Sequence, residues 1–157
     1  MNTRNSLLSV AAVLAFGMTF FACKEDNPTT TTPTPTTTRL TATLNGASEK
    51  PTATTSTATG TFAGVIDEST RTLSYTVTYT GPFTSSLTAG HLHRVTNSTA
   101  LTGGVEIPFT SLTSPIIGTF QLLNQARVDS MKNGFYYANL HTTIYPAGEI
   151  RGDIKKQ

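Results

Sequence analysis

The sequence predicts an all-β domain, an antiparallel sandwich or barrel interrupted by one short helix near residues 124–133. Three observations carry this expectation. From residue 39 onward, apolar residues alternate with Thr, Ser or Asn in short runs, the period of a half-buried strand. Turn residues separate the runs, as at Asn45-Gly46, Gly81-Pro82 and Tyr145-Pro146-Ala147-Gly148. Long Ala/Leu/Glu/Lys segments of helical period are missing from this region, while Thr and Ser are abundant.

The 157 residues leave room for one ordinary domain once the N-terminal segments are set aside. Charged residues make up 13% and the formal net charge is +2, which gives no electrostatic reason to expect a nucleic-acid partner. Cys23 is the single cysteine, so no intramolecular disulfide can form.

Residues 1–22 read as an export signal: a cationic start at Arg4, then an apolar run from Leu7 to Phe21. At about 15 residues the run fits a signal h-region and falls short of the roughly 20 that span a bilayer. Ala22-Cys23 at its end resembles the lipobox of bacterial lipoproteins, with Phe20 and Phe21 departing from the usual leucine and small residue. Cys23 is therefore the expected lipidation site and membrane anchor. Lys24-Glu25-Asp26 resembles the charged signal that directs some Gram-negative lipoproteins to the cell surface, which implies an outer-membrane, surface-exposed location. The stretch that follows, to Thr38, is almost entirely Pro and Thr and cannot bury enough apolar area to offset chain entropy. As a polyproline-like tether of about 12 residues it would hold the domain roughly 35–40 Å from the bilayer. The domain proper is expected over 39–157.

Within it, Leu40, Ala42 and Leu44 mark a first strand that ends at Asn45-Gly46. Phe62 to Ile66 and Leu73 to Tyr79 form the clearest hairpin, with Leu73, Tyr75, Val77 and Tyr79 on one face. Ala89 to Val95 is the next strand; with Leu92 in the core, the period of two turns His91 and His93 outward together. Val105 to Phe109 and Ile116 to Leu122 follow, and Pro108 points to an edge or bulge. Asn124 can cap a helix whose Val128 and Met131 share a face and which Asn133-Gly134 can end. Its expected role is to cover an open end of the β structure. Phe135 to His141 alternates again, placing His141 opposite the core residue Leu140, and Glu149 to Ile154 completes the domain.

The chain has three histidines, and the expected strands Ala89 to Val95 and Phe135 to His141 hold all of them. His91, His93 and His141 could ligate a metal, with Glu149, Asn139 or Tyr145 as further oxygen donors; imidazole suits copper or zinc. The alternative is structural: the histidines with Asn139, Thr142, Glu149 and Arg151 could form one hydrogen-bonded network pinning two strands and a loop. Arg151-Gly152-Asp153 spells an adhesion tripeptide but lies in an expected strand and reads as structural. No nucleophile elbow or phosphate loop is present, so no catalytic residue is assigned.

Three segments in order resemble the CHRD domain, named for chordin: Leu44-Asn45-Gly46-Ala47 with Pro51 and Gly60; Gly90-His91-Leu92-His93; and Tyr137-Ala138-Asn139-Leu140-His141-Thr142 with Tyr145-Pro146-Ala147-Gly148-Glu149-Ile150-Arg151-Gly152. The last carries Asn139, Thr142, Gly148, Glu149, Arg151 and Gly152 as its structural motif. The family usually places glycine soon after the paired histidines, whereas here Arg94-Val95 follows and the first glycines are Gly103-Gly104. The resemblance implies an immunoglobulin-like barrel akin to Cu/Zn superoxide dismutase, and extracellular binding. Together these observations favour a lipid-anchored, non-enzymatic envelope module that binds a protein, glycan or small ligand. The second reading is a copper- or zinc-binding redox or metal-sequestering protein; three histidines are too few for the histidine-bridged two-metal site of a dismutase.

Overall fold

The computed structural model describes residues 36–157; the export signal, Cys23 and the tether up to residue 35 lie outside the described residues. The strands are β1 (Thr37–Asn45), β2 (Thr59–Asp67), β3 (Thr72–Thr80), β4 (Leu87–Arg94), β5 (Gly104–Pro108), β6 (Ile116–Gln121), β7 (Tyr136–Thr142), β8 (Ile150–Asp153) and β9 (Lys155–Lys156). One α-helix, α1 (Gln125–Lys132), lies between β6 and β7, and a single 3-10 turn, Gly46–Ser48, follows β1. The strands pair in the order β5-β4-β7-β8-β1-β2-β3-β6, with β9 also on β1, and all pairs are antiparallel. The result is a nearly closed eight-strand barrel with β5 and β6 as its two edges.

The alternation legible in the sequence is the alternation of burial. On β1, Leu40, Ala42 and Leu44 are buried while Arg39, Thr41 and Thr43 are exposed. β2 and β3 place Phe62, Ile66, Leu73 and Val77 in the same core. β1 begins at Thr37, inside the stretch expected to be tether, because Thr37 pairs with Asp67 and Thr38 with Ile66. Pro108 does lie on an edge strand, where its missing N–H costs no ladder bond.

Helix α1 forms as its local sequence dictates. The Asn124 side chain accepts from Arg127 N at 3.1 Å, and Gly134 follows the C-terminus at φ +79°. Val128 and Met131 are wholly buried and join the core with Leu122 and Tyr136. Lys132 reaches from the helix to Glu68 in the β2–β3 turn at 2.8 Å, tying α1 across the barrel end where that turn lies.

Candidate metal centre

Pairing of β4 with β7 sets the histidines. His91 lies opposite Asn139, His93 opposite Tyr137 and Ala89 opposite His141. Leu92 and Leu140 are fully buried in the barrel, so the strand period turns all three imidazoles to the outer face. There they meet. His91 Nδ1 is 3.2 Å from His141 Nε2, and His93 Nε2 is 3.4 Å from the same atom. One ring nitrogen from each histidine lies within 4.8 Å of the others.

Facing outward does not make this face wet. His93 and His141 are each only 7% exposed, because two loops fold over them. The β4–β5 loop returns across β4 and β7: Gly103 O accepts from His93 Nδ1 at 3.0 Å, Gly103 N donates to Tyr137 Oη at 3.2 Å, and Leu101 O accepts from Arg151 NH1 at 2.7 Å. The β7–β8 loop covers the other side, where Pro146 O accepts from His141 Nδ1 at 3.1 Å. A Cβ at Gly103 would lie 2.0 Å from Arg94 O, so the close approach of this loop needs a glycine there. The first glycine after the paired histidines thus comes back to them through space.

Those two carbonyls fix the chemistry of the rings. A carbonyl oxygen only accepts, so His93 and His141 carry their protons on Nδ1 and present bare lone pairs at Nε2. Two such lone pairs 3.4 Å apart repel unless something positive lies between them. His91 Nδ1 can offer one proton to His141, which leaves His93 Nε2 without a donor. Donors about 2.0–2.1 Å from a tetrahedral zinc lie about 3.3 Å apart; the two short nitrogen distances match that spacing, while the third separation extends to 4.8 Å, so a ring must shift for all three to reach one ion. In ligand type the three imidazoles suit a late first-row ion.

Burial pushes the His93 pKa down to about 4; the Gly103 carbonyl opposes this, and the neighbouring His141, His91 and Arg151 add to it. Burial also lowers His91, aided by His141, and lowers His141 against the opposing Pro146 carbonyl. The rings are neutral at neutral pH. Behind His93 stands a stack that sequence reasoning missed: Tyr137 lies parallel to the imidazole at 4.8 Å and 2°, and the Arg151 guanidinium sits 3.5 Å over its other face. Parity could have found Tyr137, which shares the outward face of β7 with Asn139 and His141. The Gly103 and Pro146 carbonyls carry no side-chain signal.

The single network considered from sequence is two networks in the structure. Glu149, fully buried, accepts from Ser56 Oγ at 2.6 Å, Thr84 N and Oγ1 at 2.8 Å, and Thr142 Oγ1 at 2.6 Å. Burial pushes its pKa up, but the hydrogen bonds from Ser56, Thr142 and Thr84 outweigh that and hold the carboxylate below its usual range. It is saturated and stands outside the imidazole group. Tyr145, raised as an oxygen donor, instead approaches Thr55 with its hydroxyl at 3.5 Å. Arg151, 3% exposed, bonds Asp153 Oδ1 at 2.9 and 3.0 Å within its own strand, so the adhesion-like tripeptide has its arginine buried. Gly152 passes against Thr43 O of β1. Gly148, at φ +135°, lies so close to Asn139 that a Cβ would come within 2.3 Å of its amide.

Asn139 itself lies between the two networks. Its Nδ2 reaches Ala147 O at a long 3.5 Å, and its buried Oδ1 has no partner. Beside it lies the second residue missed from sequence, Glu49, 5% exposed, whose Oε1 is likewise buried and unpartnered.

These features define a class of protein: a nearly closed antiparallel β-barrel bearing an imidazole cluster on the outer face of two paired strands. More narrowly, the CHRD domain model matches residues 40–154, and the chain belongs to the CHRD domain family. No curated protein and no solved structure matches it.

Proposed function

We propose that this CHRD domain is a lipid-anchored envelope module whose ligand is a single zinc or copper ion, held by His91 Nδ1, His93 Nε2 and His141 Nε2. Membership of the family supports an extracellular binding role. Of the readings the sequence leaves open, the histidine geometry favours metal binding. The observation that carries it is the pair of backbone carbonyls, Gly103 O and Pro146 O, that leave two bare Nε2 atoms 3.4 Å apart. Such locking of ring tautomer by an outer hydrogen bond is the usual support of a histidine metal ligand. Copper would supply one-electron chemistry there and zinc a Lewis acid; the protein's own part is to orient three neutral rings and exclude water from two of them.

The test is metal analysis of the purified chain carrying Cys23→Ser and no histidine tag. About one zinc or copper per chain should survive desalting, and the ion should raise the melting temperature by about 10 °C at 100 times its Kd, since that excess contributes about 2.7 kcal/mol. A chain that retains neither ion and melts at the same temperature with and without them refutes the reading. The lipid anchor at Cys23 and surface display are tested separately by protease shaving of intact cells; a domain cut only after lysis contradicts display.

A further inference from the structure

The three imidazoles are not equivalent, and the difference bears on what the proposed metal site is for. His93 and His141 are each 7% exposed and each is held at Nδ1 by a loop carbonyl. His91 is only partly buried. Among the described residues its side-chain hydrogen bond comes from Nδ1, the nitrogen already aimed at the cluster, so no group holds its Nε2 from behind. Its position differs as well. His91 lies opposite Pro108 of β5, and β5 is an edge of the sheet. On the outer face of that edge strand Pro108, opposite His91, is exposed and Val105, opposite His93, is 53% exposed, while Glu106 between them is tied to Arg94 and Arg127.

Resting on the metal reading above, we propose that His91 is the exchanging ligand, so that the domain passes its ion over the β5 edge to an incoming nitrogen or sulfur donor. The step is a ligand substitution. A bond from the incoming donor to the ion forms as the bond from His91 Nδ1 breaks, and no electron changes hands. His93 and His141 keep the ion in place during the swap because the carbonyls hold both rings in aim. Only the ring without such a carbonyl is free to turn away. A site meant to retain its metal would lock the third ring like the other two.

The experiment follows transfer of Zn2+ from the full chain, carrying Cys23→Ser, to a chromophoric chelator by stopped flow, with the affinity measured by chelator competition. The transfer rate is expected to rise linearly with chelator concentration, since the incoming donor takes part in the rate-limiting step. His91→Ala should still bind zinc, with affinity reduced about 10- to 100-fold, whereas His93→Ala should lose retention on desalting. Val105→Trp, which leaves all three ligands in place and adds an indole to the exposed outer face of β5 two residues along β4 from His91, should slow transfer several-fold at unchanged affinity. A transfer rate independent of chelator concentration, or transfer from Val105→Trp as fast as from the unaltered chain, overturns the exchange role even though zinc binds. A chain that binds no zinc at all fails earlier and overturns the metal reading itself, so the two failures are distinguishable.

Discussion

Replacing Glu49 with glutamine should stabilise the domain above pH 7 and leave it nearly unchanged below pH 4. The carboxyl is 5% exposed and its Oε1 is buried without a partner, so the charged form is poorly solvated. Burial raises its pKa from 4.5 to about 7, against the lowering effect of Arg151, the Lys50 N–H and the Asn139 amide, with Asp153 adding to the rise. Because the folded state holds this proton more tightly than the unfolded chain, the stabilising contribution is complete below pH 4.5. It declines as pH rises through about 7 and is then constant. At about 1.4 kcal/mol per tenfold change, the decline amounts to about 3 kcal/mol. Glutamine keeps the shape and never ionises. Urea unfolding of both proteins from pH 4 to 9 measures the difference, and the histidines, common to both, cancel from it. If the two stability curves run parallel across that range, Glu49 is as well solvated folded as unfolded and the account of the buried orphan pair is wrong.

Two further substitutions separate the networks. Thr142→Val removes the 2.6 Å bond to Glu149 Oε2 and the acceptor for Tyr145 N, so it should cost about 1–3 kcal/mol in denaturant unfolding while leaving metal affinity unchanged. A fall in metal affinity equal to that of a histidine variant would show that the two networks are one. Gly103→Ala sets a methyl against Arg94 O and forces the loop off His93 Nδ1; a zinc affinity lower by roughly 10- to 100-fold is expected by competition titration. Undiminished affinity would mean the carbonyl does not support the ligand.

The barrel was legible because its strands obey one rule. Period-two burial on β1, β2 and β3 follows directly from Leu40, Ala42, Leu44, Phe62, Leu73 and Val77, each opposite a hydroxyl-bearing or otherwise exposed neighbour. The same rule set His91, His93 and His141 on a common outer face, although it could not say that the face is covered. That depends on where the β4–β5 loop lands, and the landing is made by backbone atoms: Gly103 O and Leu101 O meet His93 and Arg151, while Pro146 O meets His141 from the other side. Carbonyls are the same in every residue, so a pattern of side chains does not encode them. Glu49 was illegible for a related reason. It follows a single turn of 3-10 helix, Gly46–Ser48, whose chain direction carries it beneath Asn139, and a charged residue between a serine and a lysine reads as solvent-facing.

What the fold adds to the sequence is a division of labour within one motif. Tyr137, Asn139 and His141 alternate along the outer face of β7, and each is met by a different partner from β4, β8 or the loops. Tyr137 carries the Arg151 charge on one face and His93 on the other, so a cation sits one ring away from a proposed metal ligand. That charge disfavours a proton on His93 even though Arg151 is bonded twice to Asp153, and would disfavour a metal ion by the same Coulomb term. Asp153 therefore matters to the imidazoles without touching them: shared with Lys50, it fixes the guanidinium by two bonds and so holds rigid the aromatic stack that braces His93, while the cation in that stack works against a positive charge in front of the ring.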